Sequence, residues 1–191
     1  MYDYEITVDH CPQCLMPIEP NENRCSACDS AIRRTPKNLA SATLPELNKH
    51  IIAYSNLAKE HPESKLANAQ MGMCFAKLRQ YDKALTFLDK ATEDNWEDDG
   101  AWFMTAVCLL RGKKPFLAQR ADINKAIDCL NTANQINPSA LNYLLLGFIK
   151  EDYFERKYLN VSPSSAEEYA NAEELGATDE DKSTLASLLG L

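Results

Sequence analysis

Glycine is scarce in this chain, with 6 in 191 residues, and aromatic residues make up only 8%. Both shortages argue against an all-β sandwich, which uses glycine in its turns and aromatics in its strands. They also argue against a glycine-rich phosphate loop: Gly112-Lys113 lacks the upstream glycine and the following hydroxyl that such a loop needs. No HExxH or GxSxG is present, and the three histidines (His10, His50, His61) lie far apart. No reaction is therefore expected, and the chain reads as a non-enzyme. Positive charge is in deficit, 20 Lys+Arg against 28 Asp+Glu, for a formal net charge of -8 and a pI of about 4.9. That balance has the wrong sign for nucleic acid or an anionic membrane. No apolar run approaches the roughly 18–20 residues of a membrane span. The opening MYDYEITVDH has neither a basic nor an apolar signal-peptide region, so a cytoplasmic protein is expected.

Otherwise the composition is ordinary globular, 45% hydrophobic and 25% charged. Of the seven cysteines, Cys11, Cys14, Cys25 and Cys28 crowd into one short stretch, while Cys74, Cys108 and Cys129 are dispersed. Residues 1–34 contain a short alternating pattern (Tyr2, Tyr4, Ile6, Val8), expected as a strand, then a proline-rich turn region. A segment this small cannot bury enough apolar area to fold unaided. The spacing C-x2-C-x10-C-x2-C supplies what is missing. Two thiolates two residues apart sit on one tight knuckle, and two knuckles make the four-sulfur set that Zn²⁺ prefers. In a reducing compartment, cysteines of this kind are metal ligands or core residues before they are disulfides. One structural zinc on Cys11, Cys14, Cys25 and Cys28 is expected. A redox dithiol pair or an iron site is the alternative, and His10 is read as a neighbour of the shell. The stretch CPQCLMPIEPNENRCSAC resembles the short bacterial zinc ribbon, of usual form CPxCGxxIPxxxxFCxxCG. Leu15 and Asp29 stand where that family prefers glycine, and aspartate tolerates a left-handed backbone better than leucine does. The resemblance implies a structural module used for contacts and no particular reaction.

Residues 35–42 read as a polar linker. From 43 to 191 the chain reads as successive helices, about 44–60, 65–78, 81–94, 99–112, 116–135, 139–154, 165–175 and 179–190. Thr43 with Glu46 forms a capping-box pattern; His61-Pro62 and Asn137-Pro138 end helices; Gly176 marks a C-cap before a start signal at Thr178. A repeat runs through this zone. Lys83, Ala84, Leu88 and Ala91 recur as Lys125, Ala126, Leu130 and Ala133, with a weaker third copy at Ser165, Tyr169 and Ala172. Gly72, Ala106 and Gly147 form a second matched set, with Trp102 and Tyr143 four residues before the last two. Small residues there let neighbouring helices approach closely. Cys74 and Cys108 share one slot of successive repeats and read as small buried residues; Cys129 is a core or a surface thiol.

This pattern, over about 65–176, resembles the tetratricopeptide repeat. Its period of about 34 residues matches the first offset, Gly72 to Ala106. About eight extra residues fall within 111–120, lengthening either a loop or its flanking helices. The fold expected is therefore mostly α: a TPR-like α-solenoid of antiparallel helix pairs, 43–191, with a small N-terminal four-cysteine zinc ribbon. The first helix, 44–60, and the last, 179–190 with Leu185, Leu188 and Leu189, would cap the stack.

The resemblance implies a concave face that binds a protein partner, as a helix or an extended peptide. Leu66, Ala69, Met73, Phe103, Val107, Leu110, Leu144 and Phe148 would point into it, with Lys77 and Arg111 at its edge. The alternative is a groove filled internally by the 44–60 helix or by the ribbon. The family's carboxylate-clamp Lys and Asn are missing at groove-facing slots, so capture of an acidic C-terminal tail is not expected. The expected function is an adaptor or scaffold, with the ribbon as a second contact module. A nucleic-acid-associated factor is the alternative, using the ribbon and the basic 111–120 segment (Arg111, Lys113, Lys114, Arg120). Four basic residues against six acids over 1–42 count against it. A zinc-thiol redox chaperone is a third reading. Trp96, amid Glu93, Asp94, Glu97, Asp98 and Asp99, and Phe116 are candidate anchors on otherwise solvated loops.

Overall fold

A computed structural model describes residues 16, 25–29, 43–93 and 98–190, apart from the side chains of Glu46, Lys49, Ala53, Glu60 and Leu66. The expected N-terminal strand, the 35–42 linker, Cys11, Cys14 and Trp96 lie outside the described residues. So do the side chains of Leu66 and of the Glu46 member of the first capping box.

Among the described residues eight α-helices follow one another: α1 (Leu44–Glu60), α2 (Lys65–Lys77), α3 (Tyr81–Thr92), α4 (Asp99–Leu109), α5 (Arg120–Ile136), α6 (Ala140–Ile149), α7 (Ser165–Glu174) and α8 (Asp179–Leu189). Local chemistry sets most of their ends. Orphan N–H groups at helix starts need an acceptor. Ser64 caps α2, Asp98 caps α4 and Ser139 caps α6, each accepting a backbone N–H from three residues on. Ser164 with Glu167, and Thr178 with Asp181, close reciprocal capping boxes on α7 and α8. α1 stops just before His61-Pro62 and α5 just before Asn137-Pro138, as expected. Gly176 leaves α7 at φ +80°, the left-handed exit glycine allows at no steric cost.

Two boundaries differ from the sequence reading. The extra residues of 111–120 mostly form loop, with a 3₁₀ turn at Pro115–Leu117, and α5 begins only at Arg120. α6 ends its regular winding at Ile149, and a π-turn (Lys150–Phe154) and a 3₁₀ turn (Glu155–Lys157) follow. The sequence suggests helix throughout, because nothing in KEDYF opposes it.

Consecutive helices pack as hairpins, α2 on α3, α4 on α5 and α6 on α7, with α1 against α2. The repeated small residues are where the hairpins close. A Cβ on Gly72 would come within 2.5 Å of Leu88, and one on Gly147 within 2.5 Å of Tyr169. Leu88 and Tyr169 hold the same slot in their repeats, so one contact recurs two hairpins apart. Ala106, Cys74 and Cys108 have no exposed surface at all. α3 and α5 bury one face each, through Ala84, Leu88 and Ala91, and through Ile123, Ala126, Leu130 and Ala133. α4 is different: from Phe103 to Leu109 every residue is buried. A helix covered all round lies between two layers. α2, α3 and α5 all pack against α4.

Candidate functional site

α8 packs on α6, the first helix of the last hairpin, and its C-terminal half runs beside the ends of α2 and α4. Leu185, Ala186 and Leu189 face Leu144, Phe148 and Tyr169 across one cavity. Ser187 and Leu188 face Lys77, Met104 and Val107 across another. The chain ends its last helix at Gly190, whose Cα side lies against the guanidinium of Arg79. A cation at a helix C-terminus meets the negative end of the helix dipole.

Several of the residues expected to line the groove are covered. Met73, Phe103, Val107, Leu110 and Leu144 are buried, and Phe148 and Lys77 are half-buried. Burial, followed by the nearby Arg79, pushes the Lys77 ammonium below its ordinary pKa. Val107 and Lys77 meet α8 in the smaller cavity; Leu144 and Phe148 meet it in the larger. Phe103 and Leu110 are core residues, so replacing either by a charge would unfold the array and not merely block a surface. Arg111 turns away and pairs with Asp82 of α3 at 2.6 Å. Among the described residues α8 covers part of this face, and α1 packs against α2. The leucines of 179–190 showed which helix face is buried without showing against what.

The segment 111–120 is also docked. Pro115 is buried, and the Phe116 N–H donates to Asp152 at 2.8 Å. Arg156 and Lys157 sit 4.3 and 4.8 Å from the centre of the Phe116 ring, and Lys157 also covers Tyr153 at 3.6 Å. Cations over ring faces are attracted by the ring quadrupole. Arg156 and Lys157 escaped the sequence reading because they join this cluster from some forty residues away. Asp98 is occupied structurally as the α4 cap, and burial raises its pKa. Asp99 accepts a hydrogen bond from Asn137 at 3.1 Å.

Of the expected zinc ligands, Cys25 and Cys28 are described. Cys25 is buried and Cys28 exposed, on a turn closed by the Asp29 N–H donating to the Cys25 carbonyl at 2.9 Å. Asp29 has φ +54°, the left-handed conformation for which the zinc-ribbon pattern carries glycine. Among the described residues no three potential ligands converge, and the first knuckle is not among them. The other three cysteines are core residues. Burial pushes the thiols of Cys74 and Cys108 up to about 12 and that of Cys129 to about 11, so almost no thiolate, the reactive form, is present at neutral pH. With metal chelated, four thiols should react promptly with a thiol reagent in the native protein, and three only on unfolding. A fifth fast thiol would contradict the packing of one of these three.

No protein-family model matches the chain, and no curated protein does. Solved structures do. "MamA RS-1 ArsTM double mutant" is similar with a TM-score of 0.55 and 20% identity, over 69% of this chain and 67% of that one. "MamA MSR-1 C2" is similar with a TM-score of 0.51 and 17% identity, over 71% and 69%. The likeness is one of fold: a mostly helical, TPR-like array. No helix among the described residues is long and apolar enough to cross a membrane.

Proposed function

We propose that this chain is a non-enzymatic scaffold of the cytoplasm that binds a protein partner on the inner face of its TPR-like array. The observation that carries the reading is α8 itself: a helix already rests on α6 and beside the ends of α2 and α4. Solenoids of helix pairs present extended concave surfaces suited to such contacts. A pull-down with the tagged full-length chain, with and without nuclease, tests it. A stoichiometric protein that survives nuclease is expected. Capture that vanishes with nuclease would favour the second reading, a nucleic-acid-associated factor. For that reading the specific observation is that Arg156 and Lys157 join the basic 111–120 segment at the Phe116 ring.

The second contact module we propose is an N-terminal ribbon holding one structural zinc through Cys11, Cys14, Cys25 and Cys28. The turn at Cys25–Asp29 fits the second knuckle, with the left-handed residue directly after the second thiol. Four thiolates close a tetrahedral shell, and the ion stands in for the missing core, so its binding free energy is folding free energy. Metal analysis should find one zinc per chain. Cys28→Ser should lose it and leave the melting point of the array unchanged. A chain purified without zinc under reducing, chelator-free conditions would refute the ribbon.

A further inference from the structure

α8 is a weakly built tenant of a larger seat. Leu185 and Leu189 are its buried residues, with Leu188 packed partly against the core. By contrast α6 buries seven of its ten positions. The side-chain hydrogen bonds of α8 run to its own cap and first turn: Thr178 with Asp181, and Lys182 with Asp179. Its contact with the array is made by leucines.

The seat is also wider than α8. A groove of about 560 Å³, open to solvent, runs between α8 and Leu144, Phe148 and Tyr169. A second space, of about 220 Å³, lies on the side of Met104 and Val107. Ala186 lines the first beside Leu185 and Leu189, and Ser187 lines the second beside Leu188. Larger apolar side chains at Ala186 and Ser187 would bury more of the array's apolar surface.

The connection to α7 is a short turn, with Gly176 at φ +80° and the Gly176 and Ala177 N–H groups donating back to Glu173 and Ala172. The capping box at Thr178 and Asp181 belongs to α8 alone, so the helix start keeps its hydrogen bonds wherever the helix goes.

We propose that α8 is an intramolecular occupant of a helix-binding groove, and that a partner helix takes its seat. The partner chemistry follows from the seat. It is an amphipathic helix with aliphatic side chains at the positions of Leu185, Leu188 and Leu189 and bulkier apolar ones at Ala186 and Ser187, its C-terminal end toward Arg79. This rests on the scaffold reading above and adds that the bare groove is in competition with the chain's own last helix. A binding site only fractionally open shows an affinity reduced by that fraction.

The probe is a fluorescent peptide of residues 177–191 carrying Ala186→Leu and Ser187→Met, measured by anisotropy against full-length protein. Unseating α8 with Leu185→Asp and Leu189→Asp should tighten peptide binding at least tenfold over the unsubstituted chain. Unchanged or weaker binding by a folded variant overturns the proposal. Should the variant fail to fold, hydrogen exchange on the unsubstituted chain decides. Amides of α8 exchanging at least tenfold faster than those of α6 show a helix that leaves its seat. Equal rates show a fixed element and overturn the proposal. Such a failure leaves the scaffold reading standing if the pull-down still captures a protein. Peptide binding with an empty pull-down would sink that reading alone.

Discussion

Lys150→Ala should destabilise the helical array by about 3–5 kcal/mol. Lys150 stands in the π-turn after α6 and Glu168 in α7. Their side chains are each only 4% exposed and are bonded to one another. The second carboxylate oxygen of Glu168 receives only a long contact, 3.5 Å from the Asn171 amide. Removing the ammonium strands a carboxylate out of reach of water, and its desolvation is then uncompensated. For a domain of this size the loss corresponds to a melting-point drop on the order of 10 °C. Urea denaturation of the single variants and of Lys150→Met/Glu168→Leu forms the decisive cycle. The double variant should recover most of the loss, because an apolar pair of similar volume has no charge to desolvate. A single variant costing under about 1 kcal/mol would place the pair in water.

Gly147→Ala should be the other large effect, a net loss of about 1–3 kcal/mol even after the gain in helix propensity. The new Cβ would lie 2.5 Å from Tyr169 Cε1 and 2.7 Å from its Cδ1. The ring cannot easily give way, because its hydroxyl donates to Glu151 at 2.7 Å. Tyr169→Ala in the same chain should make the alanine at 147 nearly harmless, and a thermal-melt cycle would detect the coupling. Additive effects would mean that the two helices are not in contact there. The same tyrosine carries a pH dependence. Burial first, and then the hydrogen bond to Glu151, hold its phenol well above the usual pKa of 10.0. Its contribution is complete below the unfolded value and is lost as the pH rises beyond it. Tyr169→Phe should therefore flatten part of the fall in stability above about pH 10.

Much of this architecture was legible in the residues. Capping side chains, X-Pro steps and Gly176 act on their own neighbours, so the helix ends they mark were legible, whereas the ends of α4 and α6 and the start of α5 fell several residues away. Gly72 with Leu88 and Gly147 with Tyr169 were legible because a repeat imposes one packing rule at each hairpin. Cys74 and Cys108, one period apart, proved as buried as that rule requires. Asp29 does adopt the left-handed turn that its place after the second CxxC demands.

The tertiary structure alone decided the rest. A helix pattern says which face is apolar and leaves open what covers it. Leu185, Leu188 and Leu189 would serve a helix packed on α6 alone as well as one that also reaches the ends of α2 and α4. Which of these occurs depends on how far each hairpin rotates on the last, and that sum of small angles is written in no single residue. The pairing of Lys150 with Glu168 joins two helices through a turn whose winding changes at Ile149. Phe116 met its cations for the same reason. Short-range chemistry set the elements and their repeat, while the accumulated geometry of the stack determined which surfaces were left for a partner.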